Sequence, residues 1–177
     1  AFVILLCQDT PGCCGGISHV LDYSTKKSTR VAKSSFAGET LICNRGSEAV
    51  QRMVRFLREV YEGCETARDL IEVPNYFPVQ VVTDAMDLYE VVRCKRPYQG
   101  ADKSVALYVE SLREDLATRR VERFTWTDNR FMLSDSMTKN MIDHLWGETM
   151  CSGEWWSFEF LDYECDAAYW YDSDVCC

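Results

Sequence analysis

Three short stretches each supply one carboxylate in a setting that suits metal-dependent phosphodiester chemistry. They are Ser34-Ser35-Phe36-Ala37-Gly38-Glu39, Val81-Val82-Thr83-Asp84 and Leu133-Ser134-Asp135-Ser136-Met137-Thr138-Lys139. Glu39 opens a long amphipathic pattern, Asp84 ends an apolar, strand-like run, and Asp135 opens a final helix-like pattern. Helix starts and strand ends are where α/β folds gather their chemistry. Each acid taken alone also has an ordinary structural explanation: Glu39 as a solvated acid near a helix start, Asp84 as a helix cap, and Asp135 as a first-turn acid behind a Ser134 cap.

The elements that must carry these acids can be read from periodicity. Phe2 to Leu6 is a short apolar run, followed by a turn at Pro11-Gly12 and a second strand-like segment from about Gly16 to Tyr23, which together predict an antiparallel hairpin. From a cap at Ser34 or Ser35 a long helix runs to about Glu62, with Val50, Met53, Val54, Leu57, Val60 and Tyr61 as its inner stripe and Gly63 as its C-cap. Pro78 to Thr83 reads as a buried strand with Asp84 at its carboxyl end, and a short helix follows to about Val92. Lys103 to Thr118 is a helix with Val105, Val109, Leu112 and Leu116 on one side, and Val121 to Trp126 is the last clear strand. Ser134 then caps a helix in which Met137, Met141, Ile142 and Leu145 face inward. The order ββαβααβα fits an α/β fold with a mixed sheet: an antiparallel hairpin first, then parallel strands added through helical crossovers.

Charge is distributed unevenly. The chain of 177 residues has a net charge of -9, yet all 19 Lys and Arg lie within residues 1 to 139, which hold 19 acids. Residues 140 to 177 hold the other 9 acids and no Lys or Arg. The body is therefore neutral, with basic clusters at Lys26, Lys27, Arg30 and Lys33, at Arg52, Arg55 and Arg58, and at Arg93, Lys95 and Arg96. Such patches suit phosphates, and they equally suit a solvated surface.

With 47% apolar residues the chain can bury a core, so disorder throughout is excluded. No apolar run approaches the roughly 20 residues that span a bilayer. An intracellular location is expected, with no choice between cytoplasm and nucleus. The 10 cysteines follow no disulfide framework and include no CxxC, so reduced thiols are expected. His19 and His144 stand beside no candidate nucleophile and read as structural.

As a set, the three motifs resemble those of the ribonuclease H domain of copia-type retrotransposon polyproteins. Ser24-Thr25-Lys26-Lys27 through Glu39 resembles the family's "SKK…V…SS..AE" segment, and Thr83-Asp84 its "TD" at a strand end. Leu133 to Lys139 resembles the closing "LADxLTK", Trp126-Thr127 stands where the family often has Val-x-Thr, and Lys103 looks like the Lys of its "TKHI" segment. Gly38, Ser134 and Met137 are modest departures. The resemblance covers roughly residues 1 to 145. It implies a domain over residues 1 to 147 and an acidic, aromatic extension over 148 to 177.

What the resemblance implies is hydrolysis of the RNA strand of RNA/DNA hybrids by a two-magnesium mechanism, with manganese as a substitute ion. Glu39, Asp84 and Asp135 would be the catalytic and metal-holding residues. Lys26, Lys27, Arg30, Lys33, Ser35, Lys103 and Lys139 would contact nucleic acid. The partners would be the hybrid and the upstream reverse transcriptase region of the same polyprotein, with no membrane. Transposase-like relatives use the order Asp, Asp, Glu; here Glu comes first, which favours the ribonuclease H reading.

The family's leading Asp, on its central first strand, has no counterpart. Ala1 to Leu6 looks like the family's second strand, and neither Asp9 nor Asp22 has the right position. The expectation is a ribonuclease H-like fold without its first strand, read from a piece of a larger polyprotein, with unpaired backbone on the two strands that flanked the lost one. Ser157 to Tyr163, strand-like and acid-bearing, is one candidate to fill that slot. The other reading of the tail has its acids and aromatics cover the cleft in imitation of nucleic acid. A catalytically inactive remnant, kept as a structural or interaction module, is the alternative function.

Overall fold

The computed structural model describes residues 1–8, 14–25, 32, 34–63, 77–93, 98, 100, 103–138 and 144–164. Over these the protein is mixed α/β, with two small sheets and four α-helices. The hairpin forms as the alternation predicts: β1 (Phe2–Cys7) pairs antiparallel with β2 (Cys14–Ser24), with a register shift between Ile4 and Leu5.

The long helix α1 (Ser35–Glu62) begins and ends where its caps demand. The Ser34 hydroxyl accepts from the Ala37 amide at 3.1 Å, filling one of the donors that a helix start leaves unpaired. Gly63 closes the other end at φ 65°, a conformation open to glycine, and its amide donates to the Glu59 carbonyl. At 28 residues α1 is about 42 Å long, more than twice the reach of the strands beneath it. Its last turn therefore overhangs the body. Val60 and Tyr61, expected on the inner stripe, are 63% and 70% exposed, whereas Val54 is buried.

The second half follows the expected order. β3 (Gln80–Thr83) leads into α2 (Met86–Arg93), then α3 (Lys103–Ala117), then β4 (Arg123–Thr127), which lies parallel to β3. Val105, Val109, Leu112 and Leu116 are all buried, as their alternating four- and three-residue spacing on α3 requires. The main core joins Val54, Leu88, Val92, Leu112, Leu116 and Phe124. Full burial of each such side chain contributes roughly 1.5–3 kcal/mol before chain entropy is set against it.

A buried polar clasp ties α1 to α3. The Ser47 hydroxyl donates to Asp115 at 2.8 Å, and Arg120 reaches the other oxygen of the same carboxylate at 3.2 Å.

Two regions differ from the sequence reading. The residues from Leu133 to Met137 form a 3-10 turn rather than the start of a helix capped by Ser134. The cause is local: the Ser136 hydroxyl bonds the Leu133 carbonyl and the Thr138 hydroxyl bonds that of Asp135, which favours tight turns over helix propagation. Met141 and Ile142 lie outside the described residues, and α4 (His144–Ser152) follows, spanning residue 147.

The tail segment then adds two strands. β5 (Glu154–Ser157) pairs antiparallel with β2, and β6 (Phe160–Glu164) pairs antiparallel with β4. Ser157 to Tyr163 thus lies on the far edges of the two sheets, and does not fill a slot between β1 and β3. The sheet orders are β1-β2-β5 and β3-β4-β6. Gly15 makes the first of these pairings feasible: at φ 126°, a Cβ there would lie 2.2 Å from the Trp155 carbonyl oxygen.

Candidate functional site

Each of the three carboxylates sits where its local sequence places it. Glu39 is just past the first turn of α1, fixed by the Ser34 cap. Asp84 follows the last residue of β3, and its backbone is held from two sides. The Trp126 indole N–H donates to the Asp84 carbonyl at 3.0 Å, and the Thr83 hydroxyl accepts from the Ala85 amide at 3.2 Å. Asp135 lies in the 3-10 turn, close to Leu133, which is buried against Cys14 and Trp155.

These three elements meet at a cleft between the sheets. A cavity of about 300 Å³ is lined by residues 1–8 of β1 and its flanks, by residues 77–84 of β3 and its flanks, and by α1 side chains from Glu39 to Leu57. Leu133, Ser134 and Trp155 are also part of its wall. All three acids are half-buried.

Their electrostatic coupling shows in Glu39. Its carboxyl is held above its ordinary value of 4.5, first by partial burial and then by the negative charge of Asp84. The chain's amino terminus opposes that shift, and Asp135 adds to it. So the three acids share one electrostatic neighbourhood, with Glu39 and Asp84 in the cleft lining and Asp135 in the turn that follows Ser134. One turn further along α1, burial and the proximity of Glu39 push the Cys43 thiol up to about 12, which keeps it uncharged.

Carboxylate oxygens are the right donor type for magnesium. Among the described residues, no group of three or more His, Cys, Asp or Glu is positioned to hold a metal ion.

Of the residues expected to contact nucleic acid, Ser35 and Lys103 are exposed at the starts of α1 and α3. Those two helix starts pack together through Ala37, Val105 and Val109, with Phe36 stacked on Tyr98 at 5.3 Å between ring centres. Both residues therefore stand at the Glu39 end of α1. Lys26, Lys27, Arg30, Lys33 and Lys139 lie outside the described residues.

Sequence reasoning did not anticipate three contributors to the cleft. Trp155 forms part of its wall and donates its indole N–H to the Phe131 carbonyl at 2.9 Å. Trp126 acts as the strut behind Asp84, and Ser134 lines the cleft rather than capping a helix. The density of aromatics in the tail was the available signal for Trp155, but it did not say which surface would receive it.

Fold and cleft together define a mixed α/β protein with an acid-bearing cleft between two three-stranded sheets. Comparison with protein-family models, with curated proteins and with solved structures returns no match. Among the described residues, no helix is long and apolar enough to cross a membrane.

Proposed function

We propose that this chain is a ribonuclease H-like domain of a copia-type retroelement polyprotein, acting on the RNA strand of RNA/DNA hybrids with magnesium. The observation that carries the reading is that Glu39, Asp84 and Asp135 share one electrostatic neighbourhood: burial first, then the charges of Asp84 and Asp135, hold the Glu39 carboxyl above its ordinary value. These are the acids of the three motifs that resemble the family's. Glu39, Asp84 and Asp135 would hold magnesium in the family the chain resembles, where the ion would supply an activated water and charge neutralisation at the leaving oxygen.

The protein's own contribution is positional. Asp84 is anchored through its backbone by Trp126, and Glu39 is carried on a capped helix. Ser35 and Lys103 stand exposed at the same end, where a phosphate backbone would run.

A second reading, an inactive remnant of the same fold that binds without cleaving, is favoured by one observation. The described residues gather no three-membered metal-holding group.

One assay separates the two. The full chain is incubated with a labelled RNA/DNA hybrid and millimolar magnesium, beside Asp84→Asn. Cleavage by the parent that falls about a hundredfold or more in the variant supports the nuclease. Hybrid binding with no cleavage by either protein supports the remnant. Neither binding nor cleavage overturns both.

A further inference from the structure

The second half of α1 has an outer face as well as a core-facing one. Helix residues three and four apart share a face, so Glu48, Arg52, Arg55, Phe56 and Glu59 form a single stripe. All five are exposed, Phe56 to 58%, and Val60, one turn beyond Phe56, is 63% exposed. Phe56 and Val60 therefore make one apolar spot framed by charges, rather than two scattered exposures.

The opposite face is already committed. Val54 is buried in the main core, Met53 and Leu57 line the cleft, and Ser47 bonds Asp115 of α3. The stripe faces away from the body, and the last turn of α1 overhangs it. A second helix can lie along these residues without meeting the sheets.

The order of the charges selects the occupant. Along the stripe they run acid, base, base, acid: Glu48, Arg52, Arg55, Glu59. A phosphate backbone drawn to the two arginines would pass an acid on either side, which counts against nucleic acid here. A second copy of α1, laid antiparallel about a two-fold axis, meets its own complement. A pair centred on Arg55 and Phe56 sets Arg52 of each copy opposite the partner's Glu59, and the symmetry makes that contact twice. It also brings each Phe56 ring to the partner's Arg55, a favourable cation–ring contact. A pair centred on Met53 and Val54 would instead oppose Glu48 to Glu59 and Arg52 to Arg55, so repulsion rejects that register.

We propose that this stripe is a self-association surface, through which two copies of the chain pair by antiparallel packing of their α1 helices around Phe56. Glu39 lies about 25 Å along α1 from the axis, so the two acid-bearing clefts would stand about 50 Å apart, each facing its own substrate. The pairing holds whether or not the protein cleaves nucleic acid.

The test uses the full chain and sedimentation equilibrium at about 0.1 M salt, where charges in contact still act on one another. One helix pair is a small interface, so a dissociation constant on the order of 100 micromolar is expected. Phe56→Asp should weaken association about tenfold or more. Arg52→Glu gives a chain with acids at both contact positions, and Glu59→Arg gives one with bases at both. Each alone should associate about tenfold more weakly than the parent. An equimolar mixture of the two should pair again, because acid then faces base in both contacts. All three positions are exposed, so the variants should fold as the parent does, which circular dichroism checks. A parent chain that stays monomeric to about 1 millimolar overturns the proposal, as does association that the variants leave unchanged. A mixture that pairs no better than its separate components also overturns it. Loss of hybrid binding on Arg52→Glu in a chain that is monomeric throughout overturns it too, and gives the stripe to nucleic acid.

Discussion

On their outer sides the two sheets are extended in the same way. β2 receives β5 and β4 receives β6, and only Phe158 and Glu159 separate the two added strands. The junction is tied twice: the buried Thr127 and Ser157 hydroxyls bond each other, and the Glu159 carbonyl accepts from the Asp128 backbone amide at 3.2 Å. On their inner sides the edges of β1 and β3 border a cavity with Glu39 and Asp84 in its lining. The contrast teaches that, among the described residues, strand addition is one-sided: β5 and β6 extend the outer sides of the two sheets, and no described strand pairs with the inner edges of β1 and β3.

The largest test of that contrast strikes the extended side. Phe124, 1% exposed on β4, is stacked on Tyr89 and packed in the main core with Leu112 and Leu116, so its truncation leaves a cavity. Phe124→Ala should cost about 3–5 kcal/mol, measured by urea unfolding. A cost below about 1 kcal/mol would mean that the extended side is loosely packed, and the comparison would fail.

Gly15→Ala comes next. Its new Cβ would fall against the Trp155 carbonyl, so β5 has to move off β2, at a cost of about 1–3 kcal/mol. Faster amide exchange in Glu154–Ser157 with little change in Arg123–Thr127 would show that the two outer additions are separable.

Ser47→Ala probes α1, which floors both sides of the molecule. It removes one hydrogen bond from the buried Asp115 carboxylate, and a loss of about 1–3 kcal/mol is expected by the same unfolding measurement.

The smallest effect belongs to the inner side and has the opposite sign. Because the folded pKa of Glu39 lies above its unfolded value, the folded state binds its proton more tightly. That contribution to stability is present at acid pH and is lost as pH rises from about 4.5 through the raised folded value. Glu39→Gln removes the charge, so it should be slightly more stable than the parent at pH 7, with the gap closing below pH 4.5, as read from melting temperature against pH. A destabilised variant at pH 7 would show that Glu39 is ion-paired rather than repelled by its neighbours.

How far the sequence could be read depended on the range of the forces involved. The bounds of α1 were legible because Ser34 and Gly63 act on the residues beside them. The stripe of α3 was legible because one spacing determines one face. The 3-10 turn at Leu133–Met137 was misread because hydroxyl competition for local carbonyls outweighed a plausible cap. The inner stripe of α1 was read one turn too far, since nothing local says where the body beneath a helix stops.

By itself, then, the sequence determined the elements from β1 to β4 in their order, and it singled out Glu39, Asp84 and Asp135, because caps, periodicity and strand ends are written within a few residues. Only the tertiary structure decided that the tail from Glu154 to Glu164 adds a strand to the outer side of each sheet, that Trp126 braces Asp84, and that β1 and β3 line one cleft. Those outcomes depend on pairings between residues far apart in the chain. Which edge a strand joins is chosen by the shape and hydrogen-bonding needs of the whole body, and no local pattern records that choice.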